Sequence, residues 1–186
     1  RLCHVSSVNV LRPSDGHPEE FLNVGVSPQP PRGLSGYAQS KWVSEVVLQK
    51  SLEILRSNGL PGPAAVLFVR PSTIWAHSDS GAINLRCHTT RVISACISVG
   101  AVPRVPNSII HGSLLLTPVD FVADSIIAIS LKADTGAFHL VSRHPVHFSN
   151  LVDWLRSCGY PLEEIDPTAW ENRVSSLPTD PNPLPT

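Results

Sequence analysis

Several features that would assign a protein class at once are missing from this chain. Its 186 residues include no methionine and only 16% charged residues, and 14 basic residues nearly balance 15 acidic ones. No surface for nucleic acid is expected, because such surfaces need an excess of lysine and arginine. No apolar run approaches the roughly 20 residues of a membrane helix, so no membrane partner is expected either. The lack of methionine suggests an internal segment of a longer protein or a processed product.

The chain also has no glycine loop of the kind that binds phosphate groups. Its 11 glycines never form a Gly-x-x-Gly-x-x-Gly pattern. In dinucleotide-binding folds, that loop brings backbone N–H groups and a helix N-terminus to the pyrophosphate. We therefore do not expect this chain to bind a dinucleotide by itself.

Neither a disulfide framework nor a metal site is indicated. The densest histidine group, His139, His144 and His147, has no cysteine or carboxylate at a ligand-like spacing. We interpret it as a strand edge with solvated imidazoles rather than as a zinc site. Free thiols in a reducing cytosol are the expected state of the four widely spaced cysteines, which are Cys3, Cys87, Cys96 and Cys158.

The most informative segment that is present runs from Tyr37 to Lys41. It follows a loop rich in proline and glycine, and it begins a helix-like stretch that Asn58-Gly59 would end. Residues four apart lie on one face of a helix, one turn from each other. A nearby ammonium favours the phenolate form of a tyrosine, so Tyr37 is predicted to act as a proton donor with Lys41 beside it.

Two apolar segments flank this helix and place it in a sheet. Residues 2–8 are predicted to form a short strand that contains Ser7, and residues 64–71 a buried strand that ends at Pro71-Ser72. Strand, loop, helix and strand in this order indicate a crossover unit of a parallel sheet. Ligands of such sheets bind at the carboxyl ends of the strands, so the polar groups of these segments are expected at one edge.

The rest of the chain alternates helices and strands. Periodicity and breakers predict helices at 37–57, 83–99, 120–131, 150–158 and 167–174, and further strands at 113–117 and 137–141. Ser149 is predicted to cap the helix 150–158. The long loop 9–36 is expected to be functional, and the proline-rich tail 177–186 to be linker-like.

Three acidic residues near these elements are interpreted structurally. Glu45 lies one turn after Lys41 and is predicted to form an exposed helix pair with it. Asp120 and Asp124 lie at the start of a helix, where carboxylates compensate the helix dipole. None of the three is assigned to acid–base catalysis.

Several motifs, in their joint order, resemble the extended short-chain dehydrogenase/reductases. They are Val5-Ser6-Ser7, Gly36-Tyr37-Ala38-Gln39-Ser40-Lys41-Trp42, Val69-Arg70-Pro71-Ser72 and Pro118-Val119-Asp120-Phe121-Val122-Ala123-Asp124. With Phe138-His139-Leu140 and the run from Leu151 to Trp170, they are most similar to thioester reductase domains. Such domains belong to nonribosomal peptide and polyketide synthetases, carboxylic acid reductases and aminoadipate reductases. The glycine loop of that family is absent, so the chain resembles the C-terminal part of the domain.

The resemblance and the predicted elements together indicate an α/β fold of two lobes. Residues 1–76 and 133–146 would form part of a Rossmann-type parallel sheet whose N-terminal half is absent. Residues 77–132 and 147–186 would form a smaller, mostly helical substrate lobe. The substrate would lie in the cleft between the lobes.

The resemblance also implies roles for individual residues. Tyr37 would protonate the substrate carbonyl oxygen, Ser7 would hold that oxygen, and Lys41 would bind the nicotinamide ribose. Ser7 is preferred to Ser6 because successive strand residues face opposite sides of a sheet and the family pattern has its hydroxyl at the second position. The remaining expected site residues are Pro71, Ser72 and Thr73 for the cofactor and Val8 for the substrate. Ile93 and Ile97 lie on the apolar face of the predicted helix 83–99, which is expected either to pack in the core or to form a wall of the acyl pocket.

The implied activity is reductive release of an acyl thioester as an aldehyde or alcohol. The cofactor would be NADPH, with NADH possible, and the implied partners are an acyl or peptidyl carrier protein with its phosphopantetheine arm and the missing N-terminal half. A cytoplasmic location is expected. The alternatives are another extended short-chain enzyme (an epimerase, a dehydratase or a fatty acyl reductase), a non-redox cyclase, and a non-catalytic docking module.

Overall fold

The computed structural model describes residues 1–11, 35–104 and 113–177. The strands are β1 (Leu2–Val5), β2 (Val66–Pro71), β3 (Thr73–Trp75), β4 (Ala101–Pro103), β5 (Ser113–Leu114), β6 (Leu116–Pro118), β7 (Gly136–Leu140), β8 (Val146–His147) and β9 (Glu163–Ile165). The helices are α1 (Gly36–Ser57), α2 (His88–Val99), α3 (Val119–Lys132), α4 (Phe148–Ser157) and α5 (Pro167–Ser175), with a 3-10 turn at Val8–Val10. The chain divides into two units, Arg1–Ser80 with Leu116–Ser142 and Gly81–Leu115 with Arg143–Thr186.

A parallel three-stranded sheet in the order β1-β2-β7 forms the centre of the first unit. All six residues of β2 are buried, as expected of a parallel strand that is covered on both faces. Val69 and Arg70 point to opposite faces because side chains alternate along a strand. Val69 packs with Val122 of α3 and Leu140 of β7, whereas Arg70 bonds to Glu45 of α1. The predicted crossover unit is thus confirmed.

The helix that carries the Tyr-x-x-x-Lys motif begins and ends close to its predicted bounds. Ser35 is its N-cap and accepts a hydrogen bond from Ala38 N at 3.3 Å. Asn58 is its C-cap, and Gly59 follows with φ +63°, a conformation that glycine adopts without strain.

In the second unit, β4 and β9 form a parallel pair, and β5 and β8 form an antiparallel pair. Trp170 of α5 donates from Nε1 to Ala101 O at 3.1 Å. Helices α2 and α4 and strand β4 share its buried apolar cluster, which comprises Cys96, Val102, Leu151, Val152, Leu155 and Leu162.

Three predicted boundaries were wrong. Strand β1 ends at Val5, and the chain continues as a 3-10 turn. Helix α2 begins at His88 rather than near 83, because Asn84 forms a local turn in which its Oδ1 accepts from Arg86 N. Ser149 is not a cap, since α4 begins at Phe148, directly after the paired strand β8.

The division into units also differs from the expected lobes. We expected residues 77–132 to belong to the substrate lobe. Helix α3, however, packs on the sheet through Val122, Ile126 and Ile129, so residues 116–142 group with the first unit. Most of the expected functional loop, and all of the predicted tail except Leu177, lie outside the described residues.

All four cysteines are free. Cys96 is buried in the second unit, where burial raises the pKa of its thiol to about 11, and Cys158 is exposed. No helix among the described residues is both long and apolar enough to span a membrane.

Candidate active site

Tyr37 and Lys41 lie together at the start of α1, as their spacing predicts. The Lys41 Nζ atom is 6.0 Å from the centroid of the Tyr37 ring. The Tyr37 side chain is 55% exposed, so its hydroxyl group can be reached by a substrate. The ammonium and the phenol therefore share one exposed end of the helix.

A hydrogen bond ties this helix end to the carboxyl end of β1. Lys41 Nζ donates to Val5 O at 3.3 Å. Val5 is the last residue of β1 and is in register with Val69 of β2. The ammonium consequently lies at the carboxyl edge of the sheet, where parallel sheets bind ligands.

Two serines follow β1 directly and differ in their hydrogen bonds. Ser6 N donates to Val69 O at 2.7 Å, and the buried Ser6 Oγ has no partner among the described residues. Ser7 caps the 3-10 turn, and its Oγ accepts from Asn9 N at 3.2 Å. A hydroxyl group that accepts one bond can still donate its own hydrogen, so Ser7 remains able to donate to a substrate oxygen. The turn that Ser7 caps, including half-buried Val8, packs against α1.

The residues predicted to face the nicotinamide lie where β2 ends. Ser72 N donates to Leu140 O at 3.0 Å. Ser72 Oγ is hydrogen-bonded to Thr117 Oγ1 at 2.8 Å, so its side chain is already engaged. Pro71 closes β2 and Thr73 opens β3, which is paired with β6. These residues and the end of β1 thus lie at the same edge of the first unit.

Ile93 and Ile97 lie in the second unit. Both are on α2 and pack, partly buried, against the apolar cluster of that unit. Their contact with a substrate therefore stays a prediction, and their packing within the unit is the interaction that the structure describes.

Sequence reasoning missed a buried ion pair in the first unit. Glu45 is completely buried and does not form the expected exposed pair with Lys41, so that prediction was wrong. Arg70 Nε donates to Glu45 Oε1 at 2.9 Å, and Arg70 Nη2 donates to Glu45 Oε2 at 2.6 Å. The signal was an arginine directly after the continuous apolar run 64–69, within a strand predicted to be buried, because a buried charge needs a partner.

His139 is the third member of this group, and its predicted solvation was also wrong. It is half-buried in β7, in register with Arg70, and its Nε2 lies 3.2 Å from Arg70 Nη1. A guanidinium can only donate, so Nε2 must accept, which requires a neutral imidazole with its proton on Nδ1. Burial, followed by the charge of Arg70, lowers the pKa of His139, while Glu45 opposes the shift.

His4 lies near the same group on β1. Its ring meets Phe68 edge to face at 6.2 Å between centroids. Burial, and to a smaller extent the charge of Lys41, lowers the pKa of His4, whereas the charge of Glu45 acts to raise it. The imidazoles of β1 and β7 are therefore both disposed to be neutral near pH 7.

Asp120 has a structural rather than a catalytic environment. It lies in the first turn of α3 and accepts bonds from Ser78 N at 2.9 Å and Ser78 Oγ at 2.7 Å. The side-chain hydrogen bond from Ser78, then the backbone one, lowers the pKa of Asp120. No cluster of three metal-ligating side chains occurs within the described ranges.

Comparisons with known proteins identify the family to which this chain belongs. The NAD-binding family described as "Male sterility protein" matches residues 1–126. A glycine betaine reductase of Emericella nidulans is 34% identical over 176 residues, covering 92% of this chain and 13% of the relative. An L-2-aminoadipate reductase of Schizosaccharomyces pombe is 30% identical over 138 residues, covering 73% of this chain and 9% of the relative.

A solved structure has the same fold. The terminal R domain of the myxalamid polyketide synthase–nonribosomal peptide synthetase pathway superposes with a TM-score of 0.74 and 30% identity. The superposition covers 94% of this chain and 42% of that one. This chain thus spans less than half of the solved domain and about an eighth or less of these two relatives. It belongs to the NAD-binding "Male sterility protein" family of extended short-chain dehydrogenase/reductases, among the reductase (R) domains of nonribosomal peptide and polyketide synthetases.

Proposed function

We propose that this chain supplies the catalytic centre of an NADPH-dependent thioester reductase that releases a carrier-bound acyl chain as an aldehyde or alcohol. The observation that carries the proposal is the Tyr37–Lys41 pair, tied by Lys41 to the carboxyl end of β1 and so to the segment that contains Ser7. The reductase activities of the named relatives support it.

The residues present fit the nicotinamide half of such a cofactor. Exposed Tyr37 and half-buried Lys41 offer a hydroxyl group and an ammonium at the sheet edge, which suit the ribose hydroxyls. The sequence contains no glycine loop for the pyrophosphate. When bound, the dihydronicotinamide would supply the hydride.

The chain's own residues would manage the charge that this hydride creates. Negative charge builds on the thioester carbonyl oxygen as the carbon accepts the hydride, and Ser7 and Tyr37 would hold that oxygen by hydrogen bonds. Tyr37 would transfer its proton to the oxygen, with Lys41 stabilising the phenolate. Cleavage of the carbon–sulfur bond would then release an aldehyde and the phosphopantetheine thiol, and a second hydride would give the alcohol.

The test is an assay with an acyl thioester on a carrier protein and the intact enzyme. Loss of dihydronicotinamide absorbance together with an aldehyde or alcohol product is expected. Turnover of a nucleotide sugar without net cofactor oxidation would contradict the proposal in favour of an epimerase-type enzyme, and product release from the thioester without cofactor oxidation would favour a cyclase-type enzyme. NADPH and NADH are compared in the same assay.

The second unit is proposed to shape the acyl and phosphopantetheine channel and to contact the carrier protein of a cytoplasmic synthetase. Trp154 on α4 is 60% exposed and suits an apolar wall. Ile93 and Ile97 would contribute from α2, although both also pack against the apolar cluster of the unit.

Trp154→Ala is expected to raise the Michaelis constant for the acyl thioester several-fold and to leave that for NADPH unchanged, because apolar contact is lost only with the acyl chain. Ile93→Asp is instead expected to unfold the second unit, since it places a charge against its core. Steady-state kinetics with both substrates varied, on variants shown to be folded, measures the difference. Equal changes in both constants for Trp154→Ala, or none, would make the unit purely structural.

The absent glycine loop favours a second candidate, in which this chain alone is a docking module. Residues 1–186 by themselves are expected to bind neither NADPH nor NADH, because no other glycine cluster can form the pyrophosphate site. Isothermal titration calorimetry on this chain, with a complete reductase domain as the positive control, measures this. Micromolar affinity would refute the expectation and reveal another phosphate site.

A further inference from the structure

The buried Glu45–Arg70 pair joins the two elements that carry the proposed site. Glu45 lies on α1, one turn after Lys41 and two turns after Tyr37. Arg70 lies on β2 and immediately precedes Pro71-Ser72 at the carboxyl edge. Along a helix of 1.5 Å rise, Glu45 is about 6 Å from Lys41 and about 12 Å from Tyr37.

Stability alone does not account for such a pair. Removing both charges from water carries a desolvation penalty, and apolar residues of similar volume often serve a fold equally well. An apolar pair cannot supply hydrogen bonds, which fix the relative orientation of two elements. The two parallel bonds, at 2.9 and 2.6 Å, match the planar guanidinium to the planar carboxylate and restrain both the position and the rotation of α1 on β2.

Neighbouring groups hold the guanidinium itself. Arg70 Nη1 contacts the neutral Nε2 of His139 on β7, so the guanidinium is held by the adjacent strand as well as by the helix. On the other side, Lys41 Nζ bonds to Val5 O at the end of β1. Helix α1 is therefore attached by polar bonds to two strands of the sheet: to the outer strand β1 through Lys41 and to the central strand β2 through Glu45.

We propose that Glu45 and Arg70 are positioning residues that set the place of Tyr37 and Lys41 at the carboxyl edge of the sheet. This inference rests on the proposed function, because it assigns the pair to the same site. Neither residue touches the reacting atoms. The pair acts by fixing the register of α1, and a misplacement of about 1 Å in an active site can cost about a hundredfold in rate.

The decisive variants keep the charges and change the geometry. Arg70→Lys retains a cation but cannot form two parallel hydrogen bonds to the carboxylate. Glu45→Asp retains a carboxylate on a side chain that is one methylene shorter. Each is expected to lower kcat about 10- to 100-fold. The Michaelis constant for the acyl thioester should stay within threefold of wild type, because the residues proposed to contact the acyl chain are unchanged. The matched controls are Glu53→Asp on the exposed part of α1 and Arg173→Lys in the exposed pair with Glu163, and both should behave as wild type.

A double variant separates positioning from folding. Glu45→Met with Arg70→Met replaces the pair by apolar side chains and is expected to fold with near-wild-type stability. Its kcat should nevertheless remain low, because the directional bonds are gone. A merely structural pair would recover kcat together with stability.

The outcomes distinguish this inference from the proposed function. Wild-type kcat in folded Arg70→Lys and Glu45→Asp, or in the folded double variant, overturns the positioning role even if Tyr37→Phe is inactive. Full activity of Tyr37→Phe overturns the proposed function instead. Low kcat in the folded double variant with an unchanged thioester Michaelis constant supports the inference, whether or not the single variants fold.

Discussion

Tyr37→Phe in the intact enzyme is expected to lower aldehyde release at least about a hundredfold, which is the usual cost of removing a general acid. The Tyr37 ring is exposed at the start of α1, and its centroid lies 6.0 Å from Lys41 Nζ. The substitution removes only the hydroxyl group. Packing should be unaffected, so the loss should appear in kcat. The measurement is NADPH consumption with a carrier-bound thioester, together with product analysis.

The chain offers a matched control for this experiment. Its other tyrosine, Tyr160, is 40% exposed and lies in the second unit, just after α4. Tyr160→Phe should leave the rate unchanged. Consumption of NADPH by Tyr37→Phe within threefold of wild type would remove Tyr37 from the role of proton donor.

The second large effect is on stability. Arg70→Met should cost about 3–5 kcal/mol, because it leaves the Glu45 carboxylate buried without its partner. Replacing both residues by methionine should cost much less, since no charge then remains in the interior. The difference between the single and double variants is the signature of a buried charge pair.

Amide hydrogen exchange measures the loss of stability in α1 and β2 themselves, because it reports the free energy of local opening for each segment. Arg173→Met is the control: its ion pair with Glu163 is about half exposed on both sides, and such pairs contribute about 0–1 kcal/mol. Similar losses of protection in Arg70→Met and in the double variant would show that side-chain volume, rather than the unpaired charge, sets the cost.

Much of the site was predictable because it depends on short-range patterns. The spacing of Tyr37 and Lys41 puts them on one helix face whatever the rest of the chain does. The order of strand, helix and strand then brings the ends of β1 and β2 to one edge, since parallel strands share their direction. Caps and breakers such as Ser35 and Gly59 set the ends of α1 locally.

The parallel crossover unit, its Tyr–Lys helix and the likeness to reductase domains thus follow from the amino-acid sequence alone. The burial of Glu45 against Arg70, the contact of His139 with Arg70 and the packing of α3 on the sheet became visible only in the folded chain. Periodicity shows which residues share a face of one element, but the environment of that face depends on the side chains that distant segments bring to it.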